Sequence, residues 1–539
     1  MMIIKMRVIK MIVMNKMKKN LFYALCLLLG IAAFTACSDD KAEPSVNPGG
    51  GISGITNQDL ADIQVVDSGK TSWHDHYAAI LKEAQQGNGE EDSLMVAYAS
   101  RQLEVNDSLT NAYLESIGAN GELPGADGNW SKDYFLGYKY VVLKYKTIDK
   151  DGNPIECSEL VIGPSAPFDV GPAPQPNHLV IGCHDAITSD AQCPSKGIGY
   201  EAYDVGTLIE HARANFKTGV NNNLVIIPDY QGYGATRKDA HPYLSQDLTA
   251  RQVLDGVIAG KKWYEENAEP LNKDFKTIAV GYSQGGATAM AVQRYIEKNN
   301  LSETLNFAGS VCGNGLYNPE ATLKSYISND KIYMPLAVAQ LIKGMCDAAP
   351  GMAGQYAPSD YLTEGFLKSG ILDWLASKDY TEDEIQDKLQ AYASNKENGF
   401  EMTKDAANDA SSYCTASEVL RPEVIAYFKN GSVETPYMAK MTALHDALEQ
   451  NNLSQGWQPQ HPIFVFHSEK DEVVPLVNYE KVELAFSPTS FFRGIINKSS
   501  VANHKNTRTI FYLVKEGFYF KSILSDTWEK DYPDHKIYE

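Results

Sequence analysis

Short apolar runs along the chain alternate with longer stretches of helical periodicity. Two runs rich in β-branched and aromatic residues, Tyr138 to Ile148 and Ile155 to Ile162, flank a polar turn that contains Gly152 and Pro154. This pattern predicts a β-hairpin at the edge of a sheet. Later runs are apolar throughout, which is typical of strands buried on both faces. These runs are His178 to Cys183, Leu224 to Ile227, Thr277 to Val280, Phe307 to Val311 and Ile463 to Phe466.

Helical stretches lie between the apolar runs, so strand and helix alternate. This alternation predicts an α/β protein with a mostly parallel sheet covered by helices on both faces. Residues 318–458 break the rhythm with several helix-like segments, and we predict that they form a helical cap inserted between two parts of an α/β core, residues 58–317 and 459–539. The helical stretches of the core include Tyr203 to Ala214, Leu248 to Glu266 and Gly285 to Lys298, and those of the cap include Leu336 to Lys343, Tyr361 to Ser377 and Glu382 to Ser394.

The N-terminus carries the pattern of a secretory signal peptide, which we place at residues 1–36. A cluster of lysines precedes an apolar run from Leu21 to Phe34, and small residues follow the run. A run of about 14 residues is shorter than the roughly 20 that cross a bilayer as a permanent helix, so cleavage is the better interpretation. Met17 is an alternative start, in which case the Met-rich stretch before it has no structural meaning.

Cys37 stands where a lipid attachment site is expected. Phe34-Thr35-Ala36-Cys37 resembles a bacterial lipobox, in which the cysteine receives lipid and becomes the mature N-terminus. Ser38-Asp39-Asp40 resembles the acidic tag that sends lipoproteins of Bacteroides-type bacteria to the outer face of the outer membrane. The Pro-, Gly- and Ser-rich residues 37–57 predict a flexible tether. We therefore predict an exported outer-membrane lipoprotein, exposed at the cell surface and bound to the membrane only through its N-terminal anchor. The alternative is a plain secretory peptide followed by an incidental cysteine.

Composition and charge exclude several classes of protein. The chain has 539 residues, of which 43% are hydrophobic, as in ordinary soluble globular proteins. Its formal net charge of -20 argues against nucleic-acid binding, because a phosphate backbone requires a basic surface. His74 and His76 could form a metal pair, but no third ligand is identifiable nearby. We predict neither a metal site nor an organic cofactor.

The cysteines leave the pattern of disulfides open. Of the eight, Cys26 lies in the apolar run and Cys37 is the predicted lipid site. The other six are an even number in a chain predicted to enter an oxidising compartment. Six cysteines allow fifteen pairings, so the sequence does not give their connectivity.

The segment Gly281-Tyr282-Ser283-Gln284-Gly285-Gly286 carries the strongest chemical signal. It follows an apolar run and opens a helix of small residues, which is the context of a nucleophile elbow. Glycines flank the serine because a sharp strand-to-helix turn leaves no room for neighbouring Cβ atoms. We predict that Ser283 is a catalytic nucleophile. The alternative is a glycine-rich turn that serves packing alone.

The order of residues after this elbow predicts the partners of Ser283. In this arrangement the acid and then the histidine follow the nucleophile along the chain. Asp471 lies in the loop after the run that ends at Phe466, and we choose it as the acid, with Glu469 as the rival. Only His504 and His535 come later. We choose His504 because a polar C-terminal tail is usually poorly fixed, whereas a general base must be held close to its nucleophile.

An oxyanion hole is expected beside the elbow. The backbone N–H of Gln284 is the first donor, since it belongs to the residue after the nucleophile. A second donor should come from the loop after an earlier strand, which we place at Cys183 to Thr188. Asp185 is our candidate in that loop, and a simple surface turn at His184 and Asp185 is the alternative.

Several motifs together resemble the secretory lipases of the fungal lipase A type. They are the segment Pro228 to Ala235 (PDYQGYGA), then His241-Pro242-Tyr243, then the GYSQGG elbow, then Phe307 to Pro319 (FAGSVCGNGLYNP). The resemblance covers roughly residues 135–520 and implies an α/β-hydrolase fold with a helical cap over the site. It also implies that Asp185 helps to form the oxyanion hole. The segment between Asp471 and His504 departs from the family, because Phe491-Phe492-Arg493-Gly494 does not have the pattern of the usual last strand.

The leading hypothesis is an esterase or lipase that acts through a Ser-His-Asp triad and an acyl-enzyme. Its substrate would be a small-molecule, lipid or acylated-carbohydrate ester. Two alternatives stay open: a serine peptidase of the same fold acting on short peptides, because fold does not fix the scissile bond, and a surface binding protein with a vestigial site. The sequence does not indicate the oligomeric state.

Overall fold

Ten strands form one mixed sheet among the residues that the structure describes. The structure is a computed structural model, and it describes residues 54–87, 90–116, 137–166, 172–196, 203–213, 223–405, 412–499, 503–512 and 516–538. The predicted signal peptide, Cys37 and the tether up to residue 53 lie outside these ranges. The strands of the sheet are β1 (Gln64–Ser72), β2 (Gly137–Ile148), β3 (Pro154–Pro164), β4 (His178–Cys183), β5 (Asn223–Pro228), β6 (Thr277–Tyr282), β7 (Phe307–Gly313), β10 (Ile463–Ser468), β11 (Phe492–Asn497) and β12 (Lys536–Tyr538), while β8 (Thr403–Lys404) and β9 (Ser412–Tyr413) pair separately.

The order of the strands is β1-β2-β3-β5-β4-β6-β7-β10-β11-β12. Strands β1, β2, β3 and β5 pair antiparallel, and every pair from β5 through β12 is parallel. Each predicted buried strand is therefore confirmed. The predicted hairpin is confirmed as β2 and β3, but its position at the edge is wrong, because β1 pairs along the outer side of β2. Strand β1 carries mostly exposed polar residues and so has no alternating pattern to reveal it.

Helices cover both faces of the sheet. Neighbouring residues of one strand enter different cores. Leu179 and Ile181 pack with the helices over residues 246–267 and 284–298, whereas Val180 packs with those over residues 73–84, 203–209 and 516–524. The sheet therefore lies between two layers of helices, as the alternation of strand and helix along the chain predicts. The helices of the core are α1 (Trp73–Ala84), α2 (Glu90–Ser116), α3 (Tyr203–Ile209), α4 (Gln246–Asn267), α5 (Gln284–Lys298), α6 (Ser302–Leu305), α15 (Val477–Phe486), α16 (His504–Ile510), α17 (Glu516–Leu524) and α18 (Trp528–Asp531).

The chain between β7 and β10 is mostly helical. Its buried residues, such as Leu336 and Leu341, join the same apolar cluster as α4 and α5. The stretch predicted as one helix from Tyr361 to Ser377 is two short helices, because Gly370 adopts a left-handed conformation with φ of 91° between them. The helices here are α7 (Pro319–Asn329), α8 (Pro335–Ala348), α9 (Glu364–Leu367), α10 (Ile371–Ser377), α11 (Glu382–Ala393), α12 (Ala416–Val419), α13 (Pro422–Asn430) and α14 (Thr435–Gln450).

A strand does form between Asp471 and His504, contrary to the departure noted in the sequence. It is β11, and Arg493 interrupts its apolar pattern while remaining buried, with its guanidinium over the ring of Trp528 and donating to the carbonyl of Ser490 at 2.8 Å. Gly494 is required at the next position, because a Cβ there would overlap the hydroxyl of Tyr479. The sequence did not predict β11, because we identified buried strands by runs of apolar residues and Arg493 interrupts this run.

The first described residues are attached to the core. The N–H and the hydroxyl of Thr56 donate to the carboxylate of Asp255 at 2.6 and 2.8 Å, and the hydroxyl of Tyr295 donates to the carbonyl of Gly54. No helix in the described ranges is long and apolar enough to span a membrane. The six cysteines that lie within those ranges are buried free thiols.

Candidate active site

Ser283 lies at the turn between β6 and α5. Its backbone has φ of 53° and ψ of −119°, a conformation that non-glycine residues rarely adopt. The N–H of Ser283 donates to the carbonyl of Gly313 at 2.9 Å, which fixes the turn against the neighbouring strand β7. The helix that starts at Gln284 directs its unpaired N–H groups towards this turn. The predicted elbow is therefore a strained strand-to-helix turn that presents one hydroxyl.

The glycines of the elbow are required by close backbone approaches. A Cβ at Gly281 or at Gly285 would overlap the carbonyl oxygen of Cys183, and one at Gly286 would overlap the carbonyl oxygen of Gly313. The neighbours are backbone atoms of β4 and β7, which cannot rotate away. The turn at Ser283 can pack against the backbones of β4 and β7 only because these three positions have no side chains.

We predict that Gly285→Ala destabilises the protein by about 3 kcal/mol, because the added methyl group must displace the end of β4. Urea unfolding of the purified protein measures the effect. Gly517→Ala is the matched control: no atom lies within 4 Å of the added Cβ, and the substitution should be neutral or stabilise α17 by up to about 1 kcal/mol. Equal stabilities of the two variants would contradict the packing argument.

A continuous chain of hydrogen bonds joins Ser283, His504 and Asp471. The Oγ of Ser283 lies 3.0 Å from Nε2 of His504, and Nδ1 of His504 lies 2.6 Å from Oδ2 of Asp471. The other carboxylate oxygen of Asp471 accepts from the N–H groups of Val473 and Val474, at 2.9 and 2.7 Å. These bonds leave Nδ1 of His504 as the donor to Asp471 and Nε2 as the acceptor for the serine hydroxyl.

The histidine is held from both sides of its backbone. Its N–H donates to Oε2 of Glu472 at 3.0 Å, and its carbonyl accepts from the hydroxyl of Tyr282 at 2.7 Å. His504 is the first residue of α16. The base is therefore fixed at a helix start beside the elbow.

Burial and neighbouring charges shift the pKa values of Asp471 and His504 in opposite directions. Burial by itself would raise the pKa of Asp471, but the neighbouring His504 outweighs it and lowers that pKa. Burial would lower the pKa of His504, whereas the carboxylates of Asp471, Asp185 and Glu472 raise it to about 9. The arrangement stabilises an imidazolium, which is the species formed when His504 takes a proton from Ser283.

The two rivals from the sequence lie elsewhere. Glu469 is exposed on the loop after β10, and its N–H donates to the carbonyl of Asn497. His535 lies against β11, with Nδ1 3.2 Å from the carbonyl oxygen of Phe492. The structure thus brings together the three residues predicted from chain order and places neither alternative with them.

Gln284 is positioned by a half-buried histidine. Burial lowers the pKa of His241 to about 3, so its ring is neutral. Nδ1 of His241 donates to the carbonyl of Gln231 at 2.7 Å, which leaves Nε2 to accept from the amide of Gln284 at 3.0 Å. The His-Pro-Tyr motif therefore orients the residue directly after Ser283.

The loop of Asp185 is buried, not a surface turn. The ring of His184 stacks on Tyr230 with 4.0 Å between centroids, and the hydroxyl of Tyr230 donates to the carbonyl of His184 at 3.1 Å. The backbone N–H of Asp185 donates to the carboxylate of Asp204 at 2.6 Å. In this arrangement that N–H does not point to an oxyanion beside Ser283. Burial and the charge of Asp185 raise the pKa of Asp204 to about 7.

Several side chains that no sequence motif indicates also support the site. The amide of Asn314 donates to Oδ2 of Asp471, and Asn314 lies inside the FAGSVCGNGLYNP segment that carried the family resemblance. Arg508 donates to Glu91 at 3.0 and 2.9 Å and to Asp185 at 3.2 Å. It joins the helix of His504 to the loop of Asp185 and to α2, and nothing in the sequence pattern could have identified it.

The sheet order, the strained serine turn and the position of the histidine define the class: this chain has the α/β-hydrolase fold. A protein of Legionella pneumophila has a structure that matches 85% of this chain and 98% of its own, with a TM-score of 0.56 and 17% sequence identity. The rice cell wall degrading esterase LipA of Xanthomonas oryzae matches over 78% of this chain and 94% of its own, with a TM-score of 0.52 and 19% identity. These likenesses establish the fold.

The amino-acid sequence is similar to those of secretory lipases. The secretory lipase family model matches residues 368–506, a segment that contains Asp471 and His504. A secreted triacylglycerol lipase of Malassezia furfur is 25% identical over 280 residues, which are 51% of this chain and 59% of that lipase. The chain therefore matches about three fifths of this relative's length. It has the α/β-hydrolase fold and is similar in sequence to secretory lipases.

Proposed function

We propose that this protein is an exported serine hydrolase that cleaves carboxylic esters through an acyl-enzyme. The observation that carries the proposal is the hydrogen-bonded chain from Ser283 through His504 to Asp471. The similarity to secretory lipases supports an ester as the scissile group. A small-molecule, lipid or acylated-carbohydrate ester would fit this chemistry.

In the proposed reaction His504 takes the proton of Ser283 as its Oγ attacks the ester carbonyl. The N–H of Gln284 stabilises the oxyanion of the tetrahedral intermediate. A second donor from the loop of Asp185 would have to be a group other than the backbone N–H groups of Asp185 and Ala186, which donate to the carboxylates of Asp204 and Asp185. His504 then protonates the leaving alcohol, and the acyl group stays on Ser283. A water molecule, deprotonated by His504, releases the acid and restores the serine. Asp471 keeps the imidazole in the required tautomer throughout.

The helical residues 318–458 are proposed to form a cap over this site, inserted between core residues 58–317 and 459–539. Contacts beside the site support this assignment. The hydroxyl of Thr188 donates to the carbonyl of Tyr380 at 2.8 Å, and the ammonium of Lys505 pairs with Asp383. The cap would therefore exclude water from the acyl group at both the oxyanion loop and the base.

Export is proposed from the N-terminal sequence: residues 1–36 as the leader and Cys37 as the lipid site. The tether, predicted as residues 37–57, is shortened to 37–53, because Gly54 and Thr56 are hydrogen-bonded to the core. The secreted relative from Malassezia supports export in general. Labelling of cells with a radioactive fatty acid tests the lipid anchor, since the label should be attached to the wild-type protein and absent from Cys37→Ala. If the wild-type protein were exported without the label, the lipoprotein signal would be an ordinary secretory signal peptide.

Reaction with a fluorophosphonate probe tests the proposed nucleophile. The wild-type protein and Ser417→Ala, which removes an exposed serine, should both be labelled, whereas Ser283→Ala should not. Hydrolysis of nitrophenyl esters from acetyl to long acyl chains, measured on the same proteins, then defines the acyl preference. A folded wild-type protein that is neither labelled nor active would be a binding protein instead. Rapid cleavage of peptide amides without ester turnover would indicate a peptidase.

A further inference from the structure

The helix that carries His504 is anchored at its far end by an ion pair. Helix α16 has only seven residues, and a helix this short is not stable by itself. Arg508, one turn after His504, donates to both carboxylate oxygens of Glu91, with an Nε–Oε1 distance of 3.0 Å and an Nη2–Oε2 distance of 2.9 Å. The hydroxyl of Thr509 donates to the same carboxylate at 3.0 Å. Glu91 lies on α2, so a helix from the first part of the chain fixes the helix of the base.

The same guanidinium contacts the loop of Asp185. Nη1 of Arg508 donates to Oδ2 of Asp185 at 3.2 Å, while Oδ1 of Asp185 accepts from the N–H of Ala186 at 2.6 Å. This loop packs directly on the elbow, since a Cβ added at Gly285 would lie 2.7 Å from the carbonyl oxygen of His184. Arg508 therefore connects the helix of the base to the loop beside the nucleophile through one planar group.

The guanidinium lies among buried carboxylates. Asp204 on α3 accepts from the backbone N–H of Asp185 at 2.6 Å and is itself close enough to act on Arg508. Burial would lower the pKa of Arg508, but the carboxylates of Glu91, Asp185 and Asp204 outweigh it and raise that pKa. Removal of the cation would leave these buried carboxylates without their counter-charge, which is costly in a protein interior.

The charge of Asp185 acts on the proposed reaction. Burial lowers the pKa of His504, and neighbouring carboxylates, first Asp471 and then Asp185, raise it, so the charge of Asp185 reaches the base. During attack a negative charge also develops on the carbonyl oxygen of the substrate, beside the N–H of Gln284. An unbalanced carboxylate in the adjoining loop would repel that charge. Arg508 supplies the balancing positive charge.

We propose that Arg508 and Glu91 are a positioning pair for the reaction: together they hold His504 and the loop of Asp185 in their reactive arrangement, and Arg508 balances the charge of Asp185 while the oxyanion forms. This inference rests on the proposed ester hydrolysis and adds two residues to it. Both residues act through His504 and Asp185 and not by contact with the substrate.

Arg508→Met should lower kcat for hydrolysis of nitrophenyl acetate about 100-fold and leave KM within about threefold of the wild type. The reason for this split is that the bound ester is neutral, whereas the transition state carries the negative charge. Arg508→Lys restores the positive charge without the bidentate contact, so it should recover about tenfold of the lost kcat. A wild-type kcat in folded Arg508→Met, or a Lys variant no better than the Met variant, would overturn the proposal.

Arg294→Met is the matched control. Arg294 is also buried and pairs with an acid, Asp247, at 2.7 Å, but it lies ten residues after Gln284, about 15 Å along α5. Its loss should lower the stability measured by urea unfolding while kcat stays within about twofold of the wild type. An equal fall of kcat in the two methionine variants would show that the loss of any buried ion pair is sufficient, and the specific role of Arg508 would be rejected.

Glu91→Gln decides the question if Arg508→Met does not fold. Glutamine keeps the size of the side chain but removes the charge and one of the two acceptors of Arg508. The kcat should fall about tenfold with KM unchanged. An unchanged kcat would overturn the proposal.

A measurement without turnover separates this inference from the proposed function. In Ser283→Ala the proton that Nδ1 of His504 donates to Asp471 is buried and should give a slowly exchanging NMR resonance. Addition of Arg508→Met should broaden or abolish this resonance, whereas addition of Arg294→Met should preserve it. Persistence of the resonance with Arg508→Met would reject the positioning role. Its selective loss, in a protein whose wild type hydrolyses no ester, would reject the hydrolase and leave the coupling of Arg508 to His504 standing.

Discussion

His504→Gln should lower kcat/KM for nitrophenyl ester hydrolysis by roughly 10⁶-fold, as expected when the base of a serine triad is removed. Glutamine cannot accept the proton of Ser283, although it can occupy a similar volume. Nε2 of His504 lies 3.0 Å from the serine hydroxyl. Fluorophosphonate labelling should slow in parallel, because it needs the same activated oxygen.

The control for this substitution is His535→Gln, which removes the other histidine downstream of the acid. Its ring lies against β11 and is exposed, so activity should stay within about twofold of the wild type. If His535→Gln caused the large loss and His504→Gln did not, the assignment of the base would be wrong.

Asp471→Asn should lower kcat/KM by roughly 10⁴-fold, because the amide can donate to Nδ1 of His504 and so impose the tautomer with a protonated Nε2. That tautomer cannot accept from Ser283. The loop should keep its shape, since the remaining oxygen still accepts from the N–H groups of Val473 and Val474. Glu469→Gln, which changes the exposed rival acid, should retain full activity.

The pH profile gives Asp471→Asn a second readout. In the wild type the carboxylates around His504 raise its pKa to about 9, and only the neutral imidazole can act as a base. The kcat/KM of the wild type should therefore increase with pH until about 9. Loss of the Asp471 charge removes a cause of the raised pKa, so the residual activity should reach its plateau at a lower pH. A plateau at unchanged pH would show that Asp471 does not act on His504.

The sequence was informative wherever one local rule decided the structure. The apolar runs predicted strands β4, β5, β6, β7 and β10, and the glycines around Ser283 predicted its turn. Chain order narrowed the acid and the base to a few candidates, from which Asp471 and His504 were chosen, and the fold brings these two within hydrogen-bond distance. The reason for setting His535 aside was wrong, because the tail is fixed here: His535 lies against β11 and the residues after it form β12.

The remainder depended on contacts between distant parts of the chain. Arg508 binds Glu91, which lies 417 positions earlier, and no periodicity indicates such a pair. Arg493 stays inside a buried strand because carbonyl oxygens and an indole ring surround its guanidinium. The backbone N–H of Asp185 is taken by Asp204, a choice that depends on how α3 packs against the loop. Tertiary packing, not local preference, determined each of these.

The attachment of Gly54 to Tyr295 has a mechanical consequence. Ser283 lies at the start of α5 and Tyr295 lies twelve residues further along the chain, which corresponds to about 18 Å along the helix axis. A force applied through the preceding chain therefore enters the protein near the far end of α5, where Thr56 and Asp255 share the load. The reactive end of the same helix bears none of this tension directly, so the molecule can be held from its N-terminus without disturbing the elbow.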